Sequence, residues 1–169
     1  CRYKLPEIHE NMEIYDRIFE ILDKLEIDSF IYIGGNDSMD TVDKLSRYAE
    51  KIGSDVKFIG IPKTIDNDLW GTDMTFGFQS AVDIATDTID RIHTTATSHS
   101  RVFIIEVMGH KVGHVTLHAG IAGGADIILL PEIPYDIKAI TKVIDGRTKA
   151  GHLRFLQLQK VQFQRKMQS

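Results

Sequence analysis

Apolar residues along the chain change their spacing from helical to strand-like and back several times. Met12, Tyr15, Ile18, Phe19, Leu22 and Leu25 recur at three- and four-residue intervals and predict a helix over 11–25. Phe30–Ile33 is instead a short continuous apolar run ending at Gly34-Gly35, which reads as a buried strand. Val42, Leu45, Tyr48, Ala49 and Ile52 return to helical spacing and are closed by Gly53; Val56–Ile61 then reads as a second strand, stopped by Pro62. The alternation continues with an amphipathic segment from about Phe76 to Ile92, a strand over Val102–Val107, a glycine- and histidine-rich helix over 112–123, a strand over Ile127–Leu130 and a helix starting near Asp136. Strands this evenly apolar, each separated by a helix, are buried on both faces. The expected fold class is therefore α/β, a parallel, doubly wound sheet with helices on both faces.

Length and charge narrow the picture without changing it. A chain of 169 residues suffices for one domain, burying roughly 70% of its unfolded surface, and no linker interrupts the pattern before residue 150. The formal charge of -4, with acidic and basic residues mixed, offers no basic stripe for nucleic acid. Apolar stretches are strand-sized, so no membrane segment is expected. Cys1 is the only cysteine, which excludes an intrachain disulfide and a cysteine-rich metal site and suits the reducing cytoplasm. The chain opens on Cys1 with residues that read as mid-domain, so a longer parent protein is expected.

In sheets of this kind ligands bind beyond the carboxyl ends of the strands. The loops Gly34–Ser38, Pro62–Thr72 and Met108–His110 fall there. Gly34-Gly35 ahead of a helix lets a ligand approach the backbone and aims amide groups at it, which suits phosphate; a glycine turn capped by Ser38 would have the same sequence. In the Asp66-Asn67-Asp68 string behind Lys63, the two aspartates offer carboxylates for a metal or an alcohol and the lysine a cation for phosphate oxygens, although Asx residues also favour plain turns. His110, His114 and His118 repeat at four-residue spacing, yet no H-E-x-x-H pattern is present, and solvated or core-satisfied histidines explain them better than zinc.

Taken together, these segments resemble the phosphofructokinase family. The resemblance runs through Ile33-Gly34-Gly35-Asn36-Asp37-Ser38, Gly60-Ile61-Pro62-Lys63-Thr64-Ile65-Asp66-Asn67-Asp68, Gly71-Thr72-Asp73, Ser98-His99-Ser100-Arg101 and Glu106-Val107-Met108-Gly109. It continues through Ala119–Ala125 to Leu130-Pro131-Glu132 and covers residues 1 to about 152, a partial phosphofructokinase-like catalytic domain. By resemblance, the reaction is phosphoryl transfer to the 1-hydroxyl of fructose 6-phosphate, giving fructose 1,6-bisphosphate in glycolysis. Asp66 resembles the base, with Lys63 and Thr64 beside the transferred group. Asp68, Met108 and Gly109 are similar to substrate-site residues, Arg2 to an arginine of the substrate site near the phosphoryl donor, and Arg101 to an arginine that reaches the sugar phosphate of a neighbouring subunit, which implies a homo-oligomer. Gly34, Gly35, Asp37, Ser38 and Lys63 fall on the donor site, and Asn36, Asp37 and Asp68 on the magnesium site.

ATP-using members carry glycine where this chain has Asp37 and Lys63, and both changes follow the pyrophosphate-dependent members. A carboxylate at Asp37 would fill and repel the space of a nucleotide's inner phosphate, whereas Lys63 adds a cation against pyrophosphate. Pyrophosphate is thus the expected donor and ATP the alternative. Asn36 replaces a magnesium-associated aspartate, and His110 replaces the arginine of an M-G-R string. Those two departures would equally suit a lapsed member acting as a binding or regulatory module.

The pattern breaks at Leu153, since residues 153–169 are rich in glutamine and contain no acidic residue. With codons chosen to permit it, one nucleotide inserted after the His152 codon converts this tail to His-Phe-Thr-Ile-Phe-Ala-Val-Ala-Glu-Gly-Ala, a strand followed by a family-like string. Residues 153–169 are accordingly expected to be a frameshifted, non-native tail, with a genuine amphipathic basic tail as the alternative, and the chain as it stands to be inactive.

Overall fold

The computed structural model describes residues 3–99, 102–149 and 155–159. It divides into two compact units, Cys1–Thr64 with Leu69–Thr72 and Ile65–Asp68 with Asp73–Ser169, where the sequence pattern predicts one domain. Apolar spacing reports which face of each element is buried. It carries no information on which strands share a ladder, so two small parallel sheets and one larger one read alike.

The first unit is built from α1 (Met12–Lys24), β1 (Ser29–Gly34), α2 (Asn36–Ile52) and β2 (Lys57–Thr64). Asn11 caps α1 by accepting the N–H of Ile14, and Gly53 closes α2 as expected. The two strands run parallel in a register from Ser29 opposite Lys57 to Gly34 opposite Pro62. Pro62 does not stop β2, which continues to Thr64. A proline is tolerated at that point because its missing N–H falls where the pairing with β1 ends.

One core fills this unit. Tyr15 and Phe19 of α1 meet Tyr48 of α2 with ring centroids 5.0 and 5.5 Å apart, and Phe19 continues onto Phe58 of β2 at 5.7 Å. Ile31, Ile33 and Ile59 point from the alternate strand positions and are exposed. Lys44 is buried, with only 4% of its surface exposed, and ties the N-terminal segment to α2. Its Nζ lies 2.8 Å from Asp40, 3.0 Å from Glu7 and 3.1 Å from the carbonyl of Leu5. Hydrogen bonds to Asp40 and then Glu7 raise its pKa above the ordinary lysine value, outweighing the desolvation that would lower it.

The second unit contains β3 (Phe76–Gly77), α3 (Phe78–His99), β4 (Phe103–Val107), α4 (His114–Ala122), β5 (Ile127–Leu129), α5 (Ile137–Lys149) and β6 (Phe155–Gln159). Its parallel sheet has the order β4-β6-β5. Thus residues 155–159, assigned to the tail by sequence, form its middle strand. Residues 150–154 and 160–169 of that region lie outside the described residues. Phe78, Val82 and Ile89 of α3 pack with Val115 and Ala119 of α4 over Ile105 and Val107 of β4.

Packing is tight where α4 ends. A Cβ added to Gly123 would lie 2.7 Å from Cγ2, 2.9 Å from Cβ and 2.9 Å from Cδ1 of Ile89. Ile89 is fully buried and has no room to retreat. Gly123→Ala is expected to destabilise the fold by about 1–3 kcal/mol, as overpacking of a filled core does. Urea unfolding measures this, and an unchanged midpoint would contradict the packing described.

Candidate functional site

The residues expected on the donor side lie where β1 becomes α2. Gly34 is buried, and a Cβ there would fall 2.1 Å from Oγ of Ser38, so only glycine lets the first helical turn fold back this closely. Gly35, not Ser38, occupies the N-cap position, with no side-chain cap bond. The N–H groups of Ser38 and Met39 both donate to the carbonyl of Gly35 at 3.0 Å. Ser38 is therefore inside the helix. Asn36 and Asp37 occupy the first turn and are exposed. A carboxylate is favourable there because the amide dipoles give the helix start a partial positive charge.

The same unit brings the second loop beside the first. Gly34 pairs with Pro62, and a Cβ on Gly35 would lie 3.7 Å from the carbonyl oxygen of Lys63. Lys63 itself is exposed on β2, next to half-buried Thr64.

Asp66, Asn67 and Asp68 follow directly, belong to the second unit and are half-buried. Oδ1 of Asp66 accepts the backbone N–H of His110 at 3.2 Å, so the predicted neighbourhood of the Asp66 loop and the Met108–His110 loop is present. Met108 beside it is 73% exposed. His110 contributes through its backbone and is exposed, and it precedes α4, so it does not share a helix face with His114 and His118. Other histidines have packing roles: His93 Nε2 lies 3.2 Å from the Gly123 carbonyl, and His118 stands edge-on to Phe78 at 5.3 Å.

Asn67 was not among the residues singled out for a role. Its φ of 52° places it in the left-handed region that asparagine tolerates better than most residues. Oδ1 accepts the N–H of Thr75 at 2.8 Å and its hydroxyl at 3.2 Å, while Nδ2 donates to the Asp73 carbonyl at 3.3 Å. The Asx-rich string was the available signal, since asparagine both accepts the left-handed conformation and bonds nearby backbone.

Among the described residues no three ligating side chains converge on a point that could hold a metal ion. Magnesium bound with a phosphate donor needs only one or two carboxylates, because phosphate oxygens and water complete its octahedron. Arg2 and Arg101 lie outside the described residues.

The phosphofructokinase family model matches residues 2–159. The chain belongs to the phosphofructokinase family. Among its phosphofructokinase relatives, one from Spirochaeta thermophila named ATP-dependent 6-phosphofructokinase is 52% identical over 136 residues, 80% of this chain and 36% of that protein. ATP-dependent 6-phosphofructokinase 3 of Bacteroides thetaiotaomicron is 51% identical, over 79% of this chain and 38% of its own. The crystal structure of a pyrophosphate-dependent phosphofructokinase from Marinobacter aquaeolei superposes with a TM-score of 0.81 at 32% identity, over 94% of this chain and 41% of that one. A pyrophosphate-dependent phosphofructokinase from Nitrosospira multiformis gives the same TM-score and coverage at 30% identity. The chain thus spans little more than a third of the curated phosphofructokinases it matches. Its parallel α/β fold is that of part of a family member.

Proposed function

We propose that this chain is part of a glycolytic, cytoplasmic phosphofructokinase that transfers a phosphoryl group from pyrophosphate to the 1-hydroxyl of fructose 6-phosphate. The observation that carries the reading is the half-buried Asp66, held by the His110 N–H directly after Lys63 and Thr64. As the sugar oxygen bonds to the donor's terminal phosphorus and the bridging P–O bond breaks, Asp66 takes the hydroxyl proton. A carboxylate is a weak base toward an alcohol proton. It suffices because a loose phosphoryl transition state needs the proton late, so position counts for more than basicity.

Lys63 and the Thr64 hydroxyl neutralise and orient the moving phosphoryl group, and Gly34, Gly35 and Ser38 present the start of α2 to the remaining phosphate. Met108, Gly109 and Asp68 belong to the sugar site, Arg2 to the donor end, and Arg101 to the sugar phosphate of an adjoining subunit in a homo-oligomer. Asn36, Asp37 and Asp68 are the residues that would hold a magnesium ion arriving with the donor. When bound, that ion offsets negative charge on the phosphates.

Asp37 and Lys63 support pyrophosphate, as do the names of two similar crystal structures. ATP is the second reading, favoured by the names of the relatives that are 52% and 51% identical. A lapsed binding module draws less support, because the contact His110 makes to Asp66 is through the backbone and does not depend on its side chain. Assaying the family-length protein with fructose 6-phosphate and each donor tests the reading, and turnover with ATP alone would overturn the donor assignment.

Residues 153–169 are proposed to be frameshifted. Phe155–Gln159 alternates apolar residues with glutamine, whereas a middle strand in a parallel sheet is normally apolar throughout. Sequencing through the His152 codon is expected to reveal the extra nucleotide, and an unshifted read would sink the idea.

A further inference from the structure

The geometry points to Asn67 as a positioning residue that holds the reacting carboxylate of Asp66 through a clamp on Thr75. This inference rests on the reading of Asp66 as the base, and it adds a residue with no role in that reading. The catalytic loop is nine residues long from Asp66 to its return at Met74, and four of these, Leu69–Thr72, group with the first unit. A loop of that length keeps a side chain fixed only if something fastens it. Among the fastenings on its acidic end are two inside the second unit.

One is the His110 N–H on Asp66. The other is Asn67, whose single carboxamide oxygen accepts both the N–H and the hydroxyl of Thr75, while its amide donates to Asp73. Thr75 is 2% exposed and cannot drift. Its carbonyl accepts the N–H of Phe78 at 3.2 Å, and Phe78, also 2% exposed, is seated in the core of α3 and α4. The chain of contacts therefore runs from the residue beside Asp66, through Thr75, to a packed core. Backbone conformation completes the clamp, since a φ of 52° at Asn67 turns the flanking Asp66 and Asp68 relative to an extended chain. Asparagine meets both demands at once. Glycine would accept the turn and lose the clamp; alanine would lose the clamp and strain the turn.

That difference isolates the role. In the family-length enzyme, Asn67→Gly is expected to lower kcat by about 10²-fold, the effect of a misplacement near 1 Å at a reacting group. KM for fructose 6-phosphate should change by less than about threefold, because binding contacts are untouched. Amide exchange at Thr75 provides a readout independent of activity and should accelerate at least tenfold, since its N–H acceptor is gone (~tenfold). Thr75→Val, which deletes the hydroxyl and keeps the N–H, should give a smaller kcat loss of the same kind; it carries the test if the glycine variant does not fold. Unchanged kcat and unchanged Thr75 exchange in Asn67→Gly overturn the clamp. A rise in KM with kcat preserved also overturns it, by reducing Asn67 to a binding role. Turnover that survives in Asp66→Asn instead refutes the base assignment, while Thr75 exchange still reports on the clamp itself.

Discussion

Asp66→Asn in the family-length enzyme should lower kcat by about 10²–10⁴-fold, the range lost when a positioned general base is removed. The exchange is isosteric, and an amide oxygen can still accept the His110 N–H that Asp66 accepts at 3.2 Å. Folding and the loop's position are therefore preserved, and what disappears is the capacity to take a proton. KM for fructose 6-phosphate should hardly move, because an interaction made in the transition state is lost and not one made in the ground state. Steady-state kinetics at saturating donor, with a thermal melt as control, make the measurement. Wild-type turnover in the variant would remove Asp66 from the chemistry and with it the proposed reaction.

Restoring glycine at both donor-side positions, Asp37→Gly with Lys63→Gly, should shift the ratio of kcat/KM values from pyrophosphate toward ATP by about 10²-fold. Like charges brought together cost a binding site several kcal/mol when desolvated and less when exposed. Both side chains here are exposed, which sets the expectation at the modest end. Salt separates charge from shape: if repulsion by Asp37 excludes ATP, discrimination should weaken as ionic strength rises, because the Debye length shrinks from about 10 Å at 0.1 M to about 3 Å at 1 M. The substitution also removes an acidic residue from the first turn of α2, so a small loss of stability accompanies it. A double variant that keeps its preference for pyrophosphate would show that donor choice is made elsewhere.

Much of the fold was legible because each element's buried face is written at its own period. The helical spacing of Tyr15, Phe19 and Leu22 gave α1, and the apolar run before Gly34 gave β1. The boundary at Pro62 was misplaced, because a proline breaks a ladder only where its N–H would have had a partner. Ser38 looked like a cap on composition alone, yet Gly35 holds that position and the helix begins two residues earlier than Ser38. At the site, the Pro62–Asp68 string pointed to the family, but nothing in it distinguishes side-chain from backbone contributions by His110.

By itself, then, the sequence determined most of the element types, the parallel α/β class and the family. These follow from local periodicity and from side-chain chemistry, which need no partner to be read. Tertiary structure alone decided the division into two compact units, the fastening of Asp66 by His110, and the link from Asn67 through Thr75 to the core. Each of these joins residues whose meeting depends on how the chain closes on itself, and spacing along the chain does not encode it.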